Sequence, residues 1–292
     1  AALRSFALSK PFRGGSCMRI GFLILGTALV FGELLPAAAQ DAKQIVRTAV
    51  QTEITASRDD HSRWIYFDVD RKPSNTVRQW VAETSSGDLH RVLAEKGSAL
   101  TPTAQRNVME RFIHDPDAQA RQRKSGEHDD RQSEDMLRLL PDAFVWSVAS
   151  THGNRIRLHF TPDPHFKPPS WETRVFAAME GDMEVESTHH RIVSLRGRLV
   201  HDVRFCGGLC GTLSAGGTFD VERRQTGSSV WQIVATHVHI HGTALFFKNI
   251  SQEEDDEKSR FEPLPGNISL AQAETELLKQ NDGQAVMAGG GQ

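Results

Sequence analysis

Cysteine is scarce in this chain of 292 residues, and an excess of basic charge is absent. The three cysteines include one close pair, so a disulfide-rich scaffold is excluded. Lysine and arginine number 34 against 37 aspartate and glutamate residues, whereas nucleic-acid-binding domains present a basic stripe. Neither a Gly-x-Ser-x-Gly elbow nor a His-Glu-x-x-His helix occurs, so two common hydrolase motifs are missing. We therefore expect no nucleic-acid partner and find no motif that specifies a reaction.

Residues 18–39 have the three-part pattern of a secretory signal peptide: a basic start, an apolar run and small residues at its end. We expect cleavage after Ala39 or Gln40, because the apolar run is interrupted and short for a membrane span of about 20 residues. Cys17 precedes the run, whereas a lipid-modified cysteine would follow it. Residues 1–39 are thus interpreted as a signal peptide with an upstream extension, and the mature protein as periplasmic and soluble.

The mature chain is predicted to contain one β-rich domain over residues 40–252. Apolar positions at helical spacing predict an opening amphipathic helix over 41–54, and strands follow, joined in part by turn chemistry at 85–88. From residue 144 onward, short glycine-containing links separate predicted strands, one of them near 173–179. Short links join antiparallel neighbours, since parallel strands need a long crossover. The fold class is therefore predicted as α+β, mainly antiparallel β.

A helical insertion is predicted over residues 101–141. Its middle, residues 115–135, is very polar, which favours a solvated face over a surface for a partner. After the domain, residues 253–292 predict an acidic linker, a helix over 270–279 and a disordered tail.

Three histidines alternate along one predicted strand, so their imidazoles face one side about 7 Å apart. They are His237, His239 and His241. A zinc or copper site would need another ligand, for which the candidates are His189, His190 and His201. The alternative, which we favour, is a polar and partly wet sheet face.

Cys206 and Cys210 enclose three residues in a glycine-rich turn. Redox-active pairs usually have two intervening residues at a helix start. The pattern favours a structural disulfide or two free thiols over redox catalysis, and it does not choose between the two.

The order of elements resembles the LolA-like family of periplasmic proteins, which includes carriers of outer-membrane lipoproteins and the sensor domain of RseB-type regulators. The residues that carry the resemblance are Trp64 and Tyr66 on the first strand, the hairpin around Gly87, and the segments 179–181 and 191–197. The resemblance implies an unclosed β half-barrel whose concave, apolar face is covered by helices and receives acyl chains. It transfers no functional residue to this chain.

The leading hypothesis is a non-enzymatic, exported binding protein for a lipid or an acylated protein, with no cofactor. Its alternatives are a metal-dependent enzyme built on the three-histidine strand, and a module that senses or binds an envelope protein. Helices on one side of a curved sheet leave an apolar concavity of the kind that binds lipid. For each candidate lining residue a place in an ordinary core is the default interpretation. The candidates are Trp64, Tyr66, Trp80, Trp146, Phe176, Phe219, Trp231 and Phe246.

Overall fold

The structure of the chain is a computed structural model that describes residues 37–170, 172–205, 211–244 and 248–281. Its elements are, in chain order, α1 (Ala37–Asp59), β1 (Arg63–Lys72), β2 (Asn75–Ala82), β3 (Leu89–Glu95), β4 (Ser98–Ala99), α2 (Pro102–Ile113), α3 (Pro116–Ala143), β5 (Phe144–His152), β6 (Arg155–Pro162), a 3₁₀ helix (Glu172–Ala178), β7 (Met179–Glu186), β8 (Arg191–Leu199), β9 (Val203–Phe205), β10 (Gly211–Leu213), β11 (Thr218–Gln225), β12 (Trp231–Ala244), β13 (Lys248–Leu264) and α4 (Leu270–Lys279). None of the helices in this described part of the chain combines the length and apolarity of a membrane-spanning helix.

The described strands form one antiparallel sheet in the order β4-β3-β2-β1-β13-β12-β11-β8-β7-β6-β5, and the short β9 and β10 extend it beside β12. The sheet does not close, because β4 and β5 remain at its two ends. The prediction of an α+β fold with an unclosed antiparallel sheet and helices packed against it is confirmed. The meander is interrupted in the middle, where β13 pairs with β1 and thereby joins the two ends of the domain.

The two faces of the sheet carry different helices. Successive strand residues point to opposite faces, so Tyr66 and Phe67 mark the two sides of β1. We call the side of Tyr66 the inner face; α1 and α3 lie on it. We call the side of Phe67 the outer face; α2 and α4 cover it at the β2–β3 end. The helices are thus divided between both faces, which the order of elements did not reveal.

Helix α1 packs against β5 and β8 because its apolar side chains recur every three to four residues. Its buried positions include Val46, Ala49 and Val50, which join the largest core cluster. One charged residue lies on the same buried side: Glu53 accepts hydrogen bonds from Arg191 Nε and Nη2, both at 3.0 Å. Arg223 completes an ion pair with the same carboxylate. Burial alone would raise the pKa of Glu53, but these arginines reverse the effect and hold it below its ordinary value.

Two glycines face each other where β7 pairs with β8. A Cβ on Gly181 would collide with the backbone of Arg196, and a Cβ on Gly197 with the ring of Phe219. The strands therefore approach here more closely than side chains would permit, and the Phe219 ring lies over the backbone of Gly197.

Two local predictions need correction. Residues 173–179, predicted as a strand, form most of the 3₁₀ helix instead, since this segment only connects the neighbouring strands β6 and β7. The acidic run at 253–257 lies within β13, so the sheet does not end at residue 252. Pairing with β1 and β12 on both sides holds these acidic residues in a strand. The predicted helical insertion at 101–141 consists of α2 and α3, and its polar middle lies in α3 from Pro116 onward.

Candidate ligand-binding face

Most of the predicted cavity aromatics lie on the inner side, but they are already packed. Trp146 and Phe176 both contact Phe144, with ring centroids 5.9 and 5.5 Å apart, beneath α1. Phe219 is partly buried against the same core, and the Arg191 guanidinium lies 5.7 Å from the ring of Trp231. These side chains form a filled core under α1 rather than an open groove.

The other predicted aromatics divide between two further places. Trp64 and Tyr66 form a separate inner-face cluster, in which Tyr66 stacks on Phe261 at 5.2 Å. Trp80 lies on the outer face, under α2 and α4, with its ring 5.4 Å from that of Phe67. Phe246 lies outside the described residues. The predicted set is therefore not one lining, and the member bonded to α3 is Trp146, whose Nε1 donates to the Leu140 carbonyl at 3.2 Å.

Beside Tyr66, two carboxyl groups from neighbouring strands are buried together. Asp68 Oδ2 accepts a hydrogen bond from Gln79 Nε2 at 2.7 Å, while Oδ1 of Asp68 and Oδ1 of Asp256 are buried without another partner among the described residues. Burial raises the pKa of Asp68 to about 7, reinforced by hydrogen bonding to Asp256 and by its negative charge. When Asp68 keeps its proton, its carboxyl can donate a hydrogen bond to the Asp256 carboxylate.

The same inner-face region contains further ionisable groups. Burial raises the pKa of Glu83 to about 7, and the charge of Asp88 adds to this shift. Burial also raises the pKa of Asp88 and lowers that of His90. The pKa of Tyr66 lies well above its ordinary value, first because of burial and then because of these carboxylates.

These shifts define what the region can do chemically. A carboxyl group that keeps its proton near neutral pH donates a hydrogen bond, whereas a carboxylate only accepts one. Asp68 and Glu83 can therefore offer both, next to the Lys258 ammonium, which lies 5.6 Å from the Tyr66 ring. Perturbed groups of this kind concentrate at functional sites. We call Tyr66, Asp68, Glu83, His90 and Asp256 the polar inner cluster.

Helix α3 crosses the inner face above this cluster. Near its start, Gln122 Oε1 accepts from the Asp88 backbone N–H at 2.7 Å, and its Nε2 donates to the Asp88 carbonyl at 3.2 Å. Arg123 donates to the Ser86 carbonyl at 2.8 Å. Near its end, α3 contacts β5. A helix of 28 residues is about 42 Å long, so α3 reaches from the β2–β3 turn to the opposite end of the sheet.

The side of α3 that faces the sheet is polar over most of its length. Half-buried Gln122, Asp129 and Gln132 recur at helical spacing, and the fully buried residues of α3, Leu140, Pro141 and Ala143, all lie in its last turn. Asp129 Oδ1 and Gln132 Oε1 are buried without a hydrogen-bond partner among the described residues. Helix α3 therefore meets this part of the inner face through polar contacts at the β2–β3 turn.

The three histidines of the sequence pattern lie on the outer face, as one exposed row. His237 Nδ1 and His239 Nε2 lie 2.7 and 3.1 Å from the same Asp255 oxygen, and His241 lies 3.6 Å from Glu253. Burial would raise the pKa of Asp255, but hydrogen bonding to His237 and the charge of His239 lower it overall. Among the described residues, no group of three or more His, Cys, Asp or Glu side chains is arranged to hold a metal ion.

The proposed additional ligands do not join this row. Strand β11 separates β8 from β12, a distance of roughly 10 Å across the sheet. His189 instead pairs with Glu186 at 2.9 Å in the β7–β8 turn, beside His190, and His201 lies beyond the other end of β8. Cys206 and Cys210 lie outside the described residues.

The polar inner cluster was missed by the sequence reasoning, which searched for motifs. One signal was present, since the alternation of Trp64, Tyr66 and Asp68 along β1 places the carboxyl on the aromatic side. Asp256 joins them only through the pairing of β1 with β13. No family model matches this chain, and neither a curated protein nor a solved structure matches it.

Proposed function

We propose that this protein is a binding protein that holds a lipid, or the acyl chain of a lipidated partner, between the inner face and α3. The observation that carries the proposal is α3 itself, which runs from the β2–β3 turn to β5 but has apolar side chains packed against the core only from Met136 onward. A cover with few buried contacts opens at low free-energy cost. The same arrangement is what the resemblance to the LolA-like family implies.

The two parts of the site suit the two ends of an amphiphile. Trp64, Tyr66 and Phe261 offer apolar surface for an acyl chain. Asp68 and Glu83 offer hydrogen-bond donors and acceptors for a polar end. Because most of the cluster is acidic, an uncharged or cationic polar end is favoured over an anionic one.

In this proposal, the contacts of Gln122 with the β2–β3 turn act as a latch. Its side-chain amide makes two hydrogen bonds to Asp88, and it fits against Gly87, where any Cβ would collide with it. Opening the latch would uncover the polar inner cluster without unfolding α1. The setting we propose is the periplasm, after removal of residues 1–39.

The test has two parts. Native mass spectrometry of protein purified from the cell envelope should show co-purified lipid. An uncharged fluorescent monoacylglycerol should bind the purified protein, and Gln122→Ala should accelerate both its association and its dissociation. Arg131→Ala is the matched control, because Arg131 lies on the exposed side of α3. If the protein carries no lipid and neither wild type nor Gln122→Ala binds the acyl probe, the proposal is wrong.

A further inference from the structure

A second concave site lies on the outer face, on the opposite side of the sheet from the polar inner cluster. It is a hollow of about 470 Å³ between the strands β1, β2, β11, β12 and β13. Its floor is apolar and includes Phe67, Val69 and Val234. We call it the outer groove. Its volume falls within the range of about 300–1,000 Å³ that is typical of sites for small ligands.

The rim of the outer groove is positively charged, although the chain as a whole is slightly acidic. Four arginines line it: Arg71, Arg78, Arg224 and Arg260. The two glutamates of the rim are engaged with arginines, since Glu257 pairs with Arg71 at 3.1 Å and Glu222 pairs with Arg196, outside the groove. The local charge therefore favours an anion.

Arg260 is held in an unusual position. Its backbone has a φ of 57°, which a residue with a side chain rarely adopts, next to the irregular pairing between β1 and β13. Its guanidinium lies 5.6 Å from the ring centre of Phe67 and 5.9 Å from that of Trp80. Stacking on aromatic rings orients the guanidinium while leaving its edge for a ligand. Backbone strain of this kind is concentrated at functional sites.

We propose that the outer groove binds a small amphiphilic anion. The anionic group, a carboxylate or phosphate, pairs with Arg224 and Arg260, and the apolar part lies on Phe67, Val69 and Val234. Guanidinium groups bind such oxyanions through paired hydrogen bonds. This site is independent of the inner-face proposal, because it lies across the sheet and has the opposite charge.

Calorimetric titration with octyl phosphate, below its micelle concentration, tests the site. Wild type should bind it, and Arg260→Gln and Arg224→Gln should each weaken binding about tenfold or more, since each removes a charge-assisted hydrogen bond to the anion. Arg198→Gln is the control, because Arg198 is an exposed outer-face arginine paired with Glu180 and lies outside the groove. Thermal unfolding of each variant shows that the fold is retained.

Two further probes identify the source of the anion. Inorganic phosphate should bind more weakly than octyl phosphate, because it lacks the apolar part; equal binding would overturn the amphiphile proposal in favour of a simple anion site. Binding to phosphatidylglycerol vesicles without binding of octyl phosphate would assign the groove to a membrane surface and also overturn it. An equal loss of affinity in Arg198→Gln would show that only general surface charge acts. Arg260→Gln should leave unchanged the affinity for the uncharged monoacylglycerol that tests the inner face.

Discussion

Two regions of the inner face each contain a buried carboxyl group in a different setting. Glu53 of α1 lies between Arg191 and Arg223, whereas Asp68 of β1 lies beside another carboxyl group, that of Asp256. Burial disfavours ionisation in both places. In the first, the arginines overcome it and the pKa of Glu53 falls; in the second, the neighbouring carboxyl adds to it and the pKa of Asp68 rises to about 7. The first arrangement holds a helix on the sheet, and the second places a carboxyl group on the inner face whose pKa is close to neutral pH.

The largest effect on stability is expected from removing the carboxylate of Glu53, which pairs α1 with Arg191 and Arg223. Glu53→Gln should lower the free energy of unfolding by about 3–5 kcal/mol, because it leaves two partly buried guanidinium groups without their carboxylate. Urea denaturation measures this loss. Glu134→Gln is the control: it removes an α3 carboxylate that pairs with Arg58 of α1 at the surface, and the denaturation midpoint of this variant should change little. Equal effects of the two substitutions would show that Glu53 does not anchor α1.

The second prediction concerns pH in the α3 half. Asp68 binds its proton more tightly in the folded protein, so its contribution to stability is present near pH 4 and is lost as pH rises to about 7. Asp68→Asn should therefore be less stable than wild type near pH 4.5 and equally or more stable at pH 8, with a relative change on the order of 2 kcal/mol.

Urea denaturation of both proteins across this range measures the difference. Using the difference removes the opposing contribution of His90, whose lowered pKa costs stability as pH falls below its ordinary value. A constant difference between wild type and Asp68→Asn from pH 4.5 to 8 would contradict the shifted pKa.

The smallest expected effect sharpens the view of α3 as a loosely held cover. Gly126 lies inside α3, and a Cβ there would meet no atom within 4 Å, so Gly126→Ala should stabilise α3 by about 0.5–1 kcal/mol. Amide hydrogen exchange in α3 should slow while exchange in α1 is unchanged. Gly153→Ala also has open space but a φ of +58°, so it should destabilise the protein instead. Slower exchange throughout the domain would show that α3 does not open separately.

The sequence predicted correctly the features that depend on interactions between residues close together in the chain. Helix α4 spans Leu270–Lys279, the range that the sequence predicted. Ser269 caps it locally: its side chain accepts a hydrogen bond from the backbone N–H of Gln272, and the Gln272 side chain accepts one from the backbone N–H of Ser269. The common side of the three histidines also follows from strand alternation alone. By contrast, the pattern assigned residues 173–179 to a strand, whereas most of this segment forms the 3₁₀ helix that connects β6 to β7.

The sequence by itself determined the antiparallel sheet, through short links and alternating side chains, because these features act over a few residues. Only the tertiary structure decided that β13 pairs with β1 and that α3 crosses the inner face. The pairing of β13 with β1 brings Asp256 to Asp68 and places Arg260 over Phe67 and Trp80. Both candidate sites combine residues far apart in the chain: Asp68 and Asp256 are 188 positions apart, and Phe67 and Arg260 are 193 positions apart. Burial and charge at such sites depend on partners that no local pattern specifies.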